Sequence, residues 1–410
     1  MNPPDLGKPI WVMKFGGTSV ASPELILNAV KRIRQRREQG YHVVTVVSAM
    51  GDTTDRLLKL ASKLSQRPSR RELDVLLSAG EVQSMALLSI SLEDAGLPAI
   101  SFTGQQGGIR TDGHYSEAKI LEIDPARIVN ELKQERVVVV AGFQGVDHRD
   151  DITTLGRGGS DTSAVALAAV LGASNCEILT DVDGVFTADP RLVPNARLIE
   201  SVSYDEMLEM ASLGASVLHG RSVEVARRFK VPLSVASSTG EGPGTRIGMQ
   251  GDEMEKVIVR AITDDRAVRK ISILGVPDKP GVAAHVFRVL GDQGVNVRLI
   301  VQAQSHDGHN DITFVVPSDA PLEDSDLQNV VNTVGGKSWL MDDKVALLNV
   351  VGEGITREPG IAGKIFSVLA EEGVNIEAIS SSNLVITCVV AEESLEKGAR
   401  ALHAALIETD

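Results

Sequence analysis

An internal repeat restricts what this chain can fold into more than any other feature. Pro280-Gly281 recurs as Pro359-Gly360, Phe287 as Phe366, Val289-Leu290 as Val368-Leu369, and Gly294-Val295-Asn296 as Gly373-Val374-Asn375, always 79 residues apart. A constant offset across separated positions marks a duplicated supersecondary unit. Each copy opens with an apolar β-branched run (271–276 and 345–351) and a helix started at Pro-Gly. A Gly-Val-Asn turn, a strand pair and a second helix follow. That is β-α-β-β-α, one strand short of a ferredoxin-like unit. The second copy ends on the helix 393–406, whereas a spare apolar run, 257–262, precedes the first copy. The arithmetic predicts that 257–262 completes the second unit and that the first is inserted within it.

Upstream of the repeat the pattern is different. Apolar runs at 10–15, 42–47, 137–141, 177–180 and 233–236 alternate with helical stretches at 23–39, 73–95 and 162–171. Strands without polar alternation, separated by helices, indicate a mostly parallel sheet covered on both faces. The turn-rich stretch 237–244 and the polar segment to 256 read as a domain edge or linker.

Composition narrows the function classes. The 410 residues carry 41 Lys+Arg against 55 Asp+Glu, a formal net charge of −14, and only 3% aromatics. Phosphate-backbone binding needs surplus basic residues and base stacking needs aromatics, so no nucleic-acid partner is expected. The basic run 31–37 reads as a solvated helix face. No unbroken apolar run reaches the length of a membrane span, and the N-terminal residues lack the basic-then-apolar order of a secretory signal. Two cysteines 212 residues apart, with no metal-ligand spacing, fit a reduced, cytoplasmic setting. The eight histidines form no HExxH or HxxxH pair.

Several loops carry chemistry. Lys14-Phe15-Gly16-Gly17-Thr18-Ser19 follows a strand and precedes a helix, where glycines let a phosphate approach the backbone and Lys14 reaches phosphoryl oxygens. It is not a Walker A loop, because the lysine precedes the glycines. In Leu155-Gly156-Arg157-Gly158-Gly159-Ser160-Asp161-Thr162, Arg157 can bind a carboxylate bidentately, and Asp161 can organise a lysine or a metal. The plainer alternative is that Ser160 or Asp161 caps the next helix. Thr180-Asp181-Val182-Asp183-Gly184-Val185-Phe186, continuing to Arg191, can hold a purine and ribose, or be an Asp/Gly turn. Ser48 to Thr54 follows another strand, and Ser78-Ala79-Gly80-Glu81 interrupts a helical region. In an open α/β sheet ligands bind at the carboxyl ends of the strands, so these loops should share one edge.

Together, the Lys-Phe-Gly-Gly-Thr-Ser, Thr-Leu-Gly-Arg-Gly-Gly-Ser-Asp and Thr-Asp-Val-Asp-Gly-Val segments resemble those of monofunctional aspartokinases in the amino-acid kinase family. The repeat resembles that family's tandem ACT domains. The likeness runs from about residue 10 to 408. It implies an α/β fold, with a mostly parallel amino-acid-kinase sheet and helices on both faces, plus two ferredoxin-like ACT modules. The implied division is residues 1–240 as kinase, 241–256 as linker, 264–341 as the first ACT module, and 257–263 with 342–410 as the second. The resemblance implies ATP and Mg²⁺ as cofactors, L-aspartate as substrate, 4-phospho-L-aspartate as product, and a homodimer or higher oligomer joined through the ACT modules.

Carried over residue by residue, Lys14 and Asp161 are the catalytic pair. Lys14, Phe15, Gly16, Gly17, Ser48, Thr180, Asp181, Phe186 and Arg191 line the ATP site. Thr54, Glu81, Arg157, Gly158, Gly159 and Ser160 hold aspartate, with Arg157 on its α-carboxylate and Glu81 on its α-ammonium. An effector amino acid is expected near Arg298, Gln302, Asn375, Ile376 and Ser382. The chain departs from the family pattern at Ser216 (commonly lysine), Gly220 (commonly proline), Arg298 (commonly aspartate), Ala303 (commonly asparagine) and Asn383 (commonly glutamate). Arg298 reverses the local charge and would repel an effector ammonium, unless it serves as a salt bridge across the domain interface. Competing readings are a kinase for a different amino acid and a non-catalytic amino-acid-sensing subunit.

Overall fold

The computed structural model describes residues 6–215, 217–248, 259–304, 308–355 and 357–408. Ser216, residues 249–256 of the segment 241–256 and the first two residues of 257–262 lie outside the described residues. The chain forms two compact units. One comprises Met1–Val185, Leu198–Ser212 and Ser216–Glu253, and the other Phe186–Arg197, Leu213–Ala215 and Met254–Asp410.

The first unit runs through β1 (Ile10–Phe15), α1 (Pro23–Glu38), β2 (His42–Val47), α2 (Thr53–Leu64), α3 (Arg70–Asp94), β3 (Ala99–Phe102), β4 (Ile109–Thr111), β5 (Ile120–Ile123), α4 (Ala126–Lys133) and β6 (Val137–Ala141). It continues with β7 (Gln144–Val146), β8 (Ile152–Thr154), α5 (Gly159–Leu171), β9 (Asn175–Thr180), β10 (Ser201–Ser203), α6 (Tyr204–Ser212), α7 (Gly220–Phe229), β11 (Leu233–Ser237) and β12 (Thr245–Gly248). The main sheet has the order β10-β12-β11-β9-β1-β2-β6-β3, parallel except where β12 meets β11. Every residue of β2 and β6 is buried, as a strand covered on both faces requires. A small side sheet has the order β5-β4-β7-β8.

Local sequence sets the helix ends. Ser22 caps α1 by accepting the N–H of Leu25, Pro23 occupies its first turn, and Gly40 follows at φ +89°. The Ser78 to Glu81 segment does not interrupt a helix, contrary to expectation, because α3 is continuous over 25 residues. Its glycine serves packing: a Cβ on Gly80 would lie 2.7 Å from the Ala49 side chain. By length and composition α3 could cross a membrane, but it buries Asp74 and Glu81 and packs on the sheet.

The basic run is not a solvated face either. Arg34 donates to Ala95 O at 2.5 Å, Arg36 pairs with Glu177 at 2.9 Å and lies over Trp11, and Arg37 pairs with Glu135 at 2.7 Å. These side chains lie along the body of the unit, so long guanidinium stems reach acceptors that a helical wheel cannot show.

The second unit contains β13 (Ala261–Asp265), β14 (Val268–Pro277), α8 (Val282–Asp292), β15 (Leu299–Gln304), β16 (His309–Pro317), α9 (Asp324–Val334), β17 (Ser338–Asp342), β18 (Val345–Val351), α10 (Ile361–Glu371), β19 (Ile376–Ser381), β20 (Val385–Ala391) and α11 (Leu395–Leu406). Its two antiparallel sheets have the orders β15-β16-β14-β17 and β13-β18-β20-β19. The strand before the repeat thus pairs with β18, and the first module lies inserted between β13 and β18. That strand runs to Asp265, beyond the 262 read from its apolar residues, since backbone pairing with Leu347 and Leu348 continues through Asp264 and Asp265.

Two pieces of kinase-side sequence belong to this unit. Ala188 and Val193 of Phe186–Arg197 are buried with Ile262, Leu395, Ala399 and Leu402. Their apolar surface is removed from water here, which explains why the 1–240 boundary does not describe them. Leu213–Ala215 joins through Leu213 O, which accepts from Asn349.

Candidate active site

The carboxyl ends of β1, β2, β6, β9 and β11 all open on one edge of the main sheet, because these strands are parallel. Lys14, near the end of β1, lies between Val46 and Ile178 and is 9% exposed. Its Nζ is 2.7 Å from Asp161 Oδ1. Asp161 is in the first turn of α5, whose start at Gly159 makes Gly158 the cap residue. Neither Ser160 nor Asp161 therefore caps the helix, and the plainer reading of that motif fails. Opposite charges so deeply placed are strongly coupled, since little water screens them.

The Gly16-Gly17 turn follows directly. Gly16 donates its N–H to Leu179 O at 3.1 Å, so this amide is spent on the sheet instead of facing a phosphate as the sequence suggested. A Cβ on Gly17 would lie 2.8 Å from Ala49 O. Ser48 N–H donates to Phe15 O and Gly51 N–H to Gly17 O, which ties the β1 and β2 loops together. Ser48 is half-buried in the second of these loops, and Thr54, also half-buried, lies in the first turn of α2.

Glu81 enters this cluster from α3. It is 3% exposed, and its Oε1 accepts the Ala49 N–H at 3.1 Å. Its Oε2 is buried and has no hydrogen-bond partner among the described residues. Burial pushes its carboxyl up to about 7, opposed by the Ala49 N–H. A half-satisfied carboxylate in such a place is suited to an incoming cation.

The Arg157 loop is held from three sides. Asp74, fully buried on α3, accepts the Thr154 N–H at 2.8 Å and its Oγ1 at 2.9 Å, together with the N–H and Oγ of Ser116. Arg221 donates to Leu155 O and Ala118 O, both at 2.7 Å. The His219 side chain packs on Gly158, where a Cβ would lie 2.3 Å away and φ is +72°. Arg157 itself is exposed and makes no ion pair among the described residues, while Ser160 is buried against Gly142. Neither Asp74 nor Arg221 is visible in a motif. The available signal for Asp74 is its place two helical turns before Glu81 in an apolar helix.

Thr180 and Asp181 close β9, with the threonine hydroxyl donating to the aspartate at 3.0 Å. Beside them, Ser238 N–H donates to Thr180 O at 2.7 Å. Phe186 and Arg191 belong to the second unit, where Arg191 is bound to Asp189 at 2.6 Å.

Of the expected effector residues, Arg298 and Gln302 border or lie on β15, and Asn375 and Ile376 lie at the start of β19. These two strands lie against each other, with Leu299, Val301 and Ala378 in one apolar cluster. Ser382 accepts the N–H groups of Leu384 and Val385 in the next turn.

Comparison with known proteins addresses the whole chain. Residues 9–237 match the amino acid kinase family, and 271–336 and 348–406 each match an ACT domain. An aspartate kinase of Pseudomonas putida is 47% identical over 396 residues, covering 96% of both chains. The chain belongs to the aspartate kinases. An aspartokinase of Corynebacterium efficiens is 45% identical over 96% of this chain and 94% of its own. Among solved structures, E. coli aspartokinase III in complex with aspartate and ADP superposes with a TM-score of 0.77 at 26% identity, covering 97% of this chain and 99% of that one. The Synechocystis aspartate kinase is 43% identical with a TM-score of 0.55, covering 97% of this chain and 69% of that one. As an aspartate kinase, the chain pairs a nucleotide-using catalytic domain with two ACT domains.

Proposed function

We propose that the chain transfers the γ-phosphoryl group of ATP to the β-carboxylate of L-aspartate, giving 4-phospho-L-aspartate and ADP. A carboxylate oxygen forms the new P–O bond as the bond to the β-phosphate oxygen breaks. The observation that carries this is the buried Lys14–Asp161 pair at the sheet's carboxyl edge, beside Glu81 with its unpartnered oxygen. Aspartate's β-carboxyl is ionised near neutrality, so no general base is required. The protein's work is positioning and charge stabilisation.

Lys14 neutralises charge on the transferring group, and Asp161 orients Lys14. Arg157 takes the α-carboxylate of aspartate and Glu81 its α-ammonium. Ser48, Thr54 and Ser160 donate around the substrate, and Thr180 and Asp181 border the nucleotide. Among the described residues no three or more His, Cys, Asp or Glu side chains form a ready metal cluster. Asp161 or Asp181 would meet a Mg²⁺ carried on ATP, and the ion would neutralise phosphate charge there.

We further place the enzyme in the cytoplasm, at the entry to lysine, threonine and methionine synthesis. The homodimer is assigned to the ACT modules, whose Ile300 and Leu340 side chains are exposed on strands of the first sheet. An effector amino acid is assigned to the β15–β19 side, and the positive Arg298 there weakens inhibition by lysine or threonine. The restoring variant is Arg298→Asp, expected to lower the inhibitory concentration of one of them.

An assay of ADP release with aspartate, glutamate and N-acetylglutamate tests the central reading. Turnover is expected with aspartate alone. Lys14→Ala is expected to lower kcat by about 10³-fold while aspartate KM changes little. Near-normal kcat in that variant overturns the assignment.

A further inference from the structure

The arginine that the catalytic assignment leaves unused is Arg32, in the middle of α1. Its neighbours Arg34, Arg36 and Arg37 bind the sheet and helix framework. Arg32 instead reaches the loop after β11. Its Nη2 donates to Ser237 O at 2.8 Å and to Gly240 O. Those two carbonyls are the ends of a tight turn. Inside it, Ser237 Oγ accepts the N–H groups of Thr239 at 3.3 Å and Gly240 at 3.0 Å. A single guanidinium nitrogen thus gathers both ends of a four-residue turn from outside, while one hydroxyl gathers its amides from within.

The turn adjoins the nucleotide edge. Ser237 is in register with Thr180, and Ser238 N–H donates to Thr180 O at 2.7 Å. A Cβ on Gly240 would lie 3.2 Å from Asp183 Oδ1. Residues 237–240 and 180–183 therefore form one continuous wall, and displacing the turn shifts Thr180 and Asp183 with it. Ser237 and Ser238 are buried, so the turn has little freedom to compensate.

We propose that Arg32 is a positioning residue for ATP, fixing the 237–240 turn so that the Thr180–Asp183 loop presents its nucleotide-binding shape. This rests on the reading that Thr180 and Asp181 border the nucleotide. Arg32 acts through the two turn carbonyls it holds, so its removal changes nucleotide affinity and leaves chemistry on bound substrates nearly intact. A lysine offers the charge at the end of a different stem, without the guanidinium plane that fixes where the two hydrogens of one Nη2 point.

The test compares Arg32→Ala, Arg32→Lys, Arg34→Ala and Asp181→Asn in the full-length enzyme, by steady-state kinetics in each substrate and thermal unfolding. Arg32→Ala is expected to raise ATP KM about ten-fold, the effect of one lost charge-assisted contact, with Arg32→Lys intermediate. Aspartate KM and kcat are expected to stay within about two-fold. Arg34→Ala is expected to lower Tm comparably without moving ATP KM, which separates positioning from general stability. If Asp181→Asn raises ATP KM but Arg32→Ala and Arg32→Lys do not, or if both KM values rise together in the Arg32 variants, the inference is overturned with the nucleotide assignment standing. If Asp181→Asn leaves ATP KM unchanged, the nucleotide assignment fails and the Arg32 inference falls with it.

Discussion

Two clusters of buried polar groups, one in each unit, differ in how far they are satisfied. The one in the second unit closes on itself. Asn349 donates to Thr263 and Leu213 and accepts from Thr387, and His403, fully buried, lies between Thr187 and Glu408 at 2.8 Å from each. In the first unit the Lys14–Asp161 pair is held almost out of solvent, and Glu81 keeps an unpartnered oxygen and a raised pKa. A polar network that closes on itself stabilises and specifies a fold. One left open is poised for a ligand to complete it. The contrast sets the residues proposed to do chemistry apart from those that hold shape, although both sets are buried.

The largest effect that would break this contrast lies at Arg157. Arg157→Ala is expected to raise aspartate KM by about 10² while Tm stays within a degree or two, since no protein partner is lost. A large fall in Tm with unchanged KM would move Arg157 to the shape-holding group.

Glu81 comes next, through pH. Its folded carboxyl titrates near 7, so it must lose a proton to receive an ammonium. Aspartate KM is expected to fall as pH rises from about 6 to about 8, and Glu81→Gln, with a raised KM, is expected to lose that dependence. The stability consequence has a definite sign. A carboxyl raised above its ordinary 4.5 disfavours the fold increasingly between about 4.5 and 7, and fully above that. Without substrate, Glu81→Gln is therefore expected to gain at most about 3 kcal/mol at pH 8 and nothing at pH 4, measured by denaturant unfolding.

Asn349→Ala probes the other side. Leaving Thr387 and the Thr263 carbonyl without their partner is expected to cost about 1–3 kcal/mol in unfolding experiments, with the pH dependence of aspartate KM unchanged. The smallest effect is expected at Ser382. Losing its hydroxyl bonds to the turn amides costs about 0.5–1.5 kcal/mol. A change in lysine or threonine response larger than the stability effect would mark Ser382 as an effector contact instead.

Much of this was legible where the residues that matter are contiguous. The Lys-Phe-Gly-Gly-Thr-Ser and Gly-Arg-Gly-Gly-Ser-Asp segments are unbroken stretches, and the repeat declares itself by its constant offset. The pairing of β13 with β18 followed from counting strands. Asp74, Arg221 and Arg32 were not legible, because each acts on backbone far away in sequence: Thr154, Leu155 and Ser237 lie 80, 66 and 205 residues from their respective partners. Backbone donors and acceptors carry no residue identity, so no motif records them. Phe186 and Arg191 show the converse limit. They continue a motif whose earlier residues close β9, yet Ala188 and Val193 draw that stretch into the second unit's core.

The sequence by itself determined the parallel sheet, the repeat with one module inserted in the other, and the Gly-rich loops, through local periodicity and side-chain chemistry read in order, while the reaction class came from the resemblance of those loops to aspartokinases. Only the tertiary structure decided that Asp161 answers Lys14 instead of capping its helix, that Glu81 is left with an open oxygen, and that Arg32 grips the turn beside Thr180. Those outcomes depend on burial and on which distant groups meet, and both are properties of the packed chain.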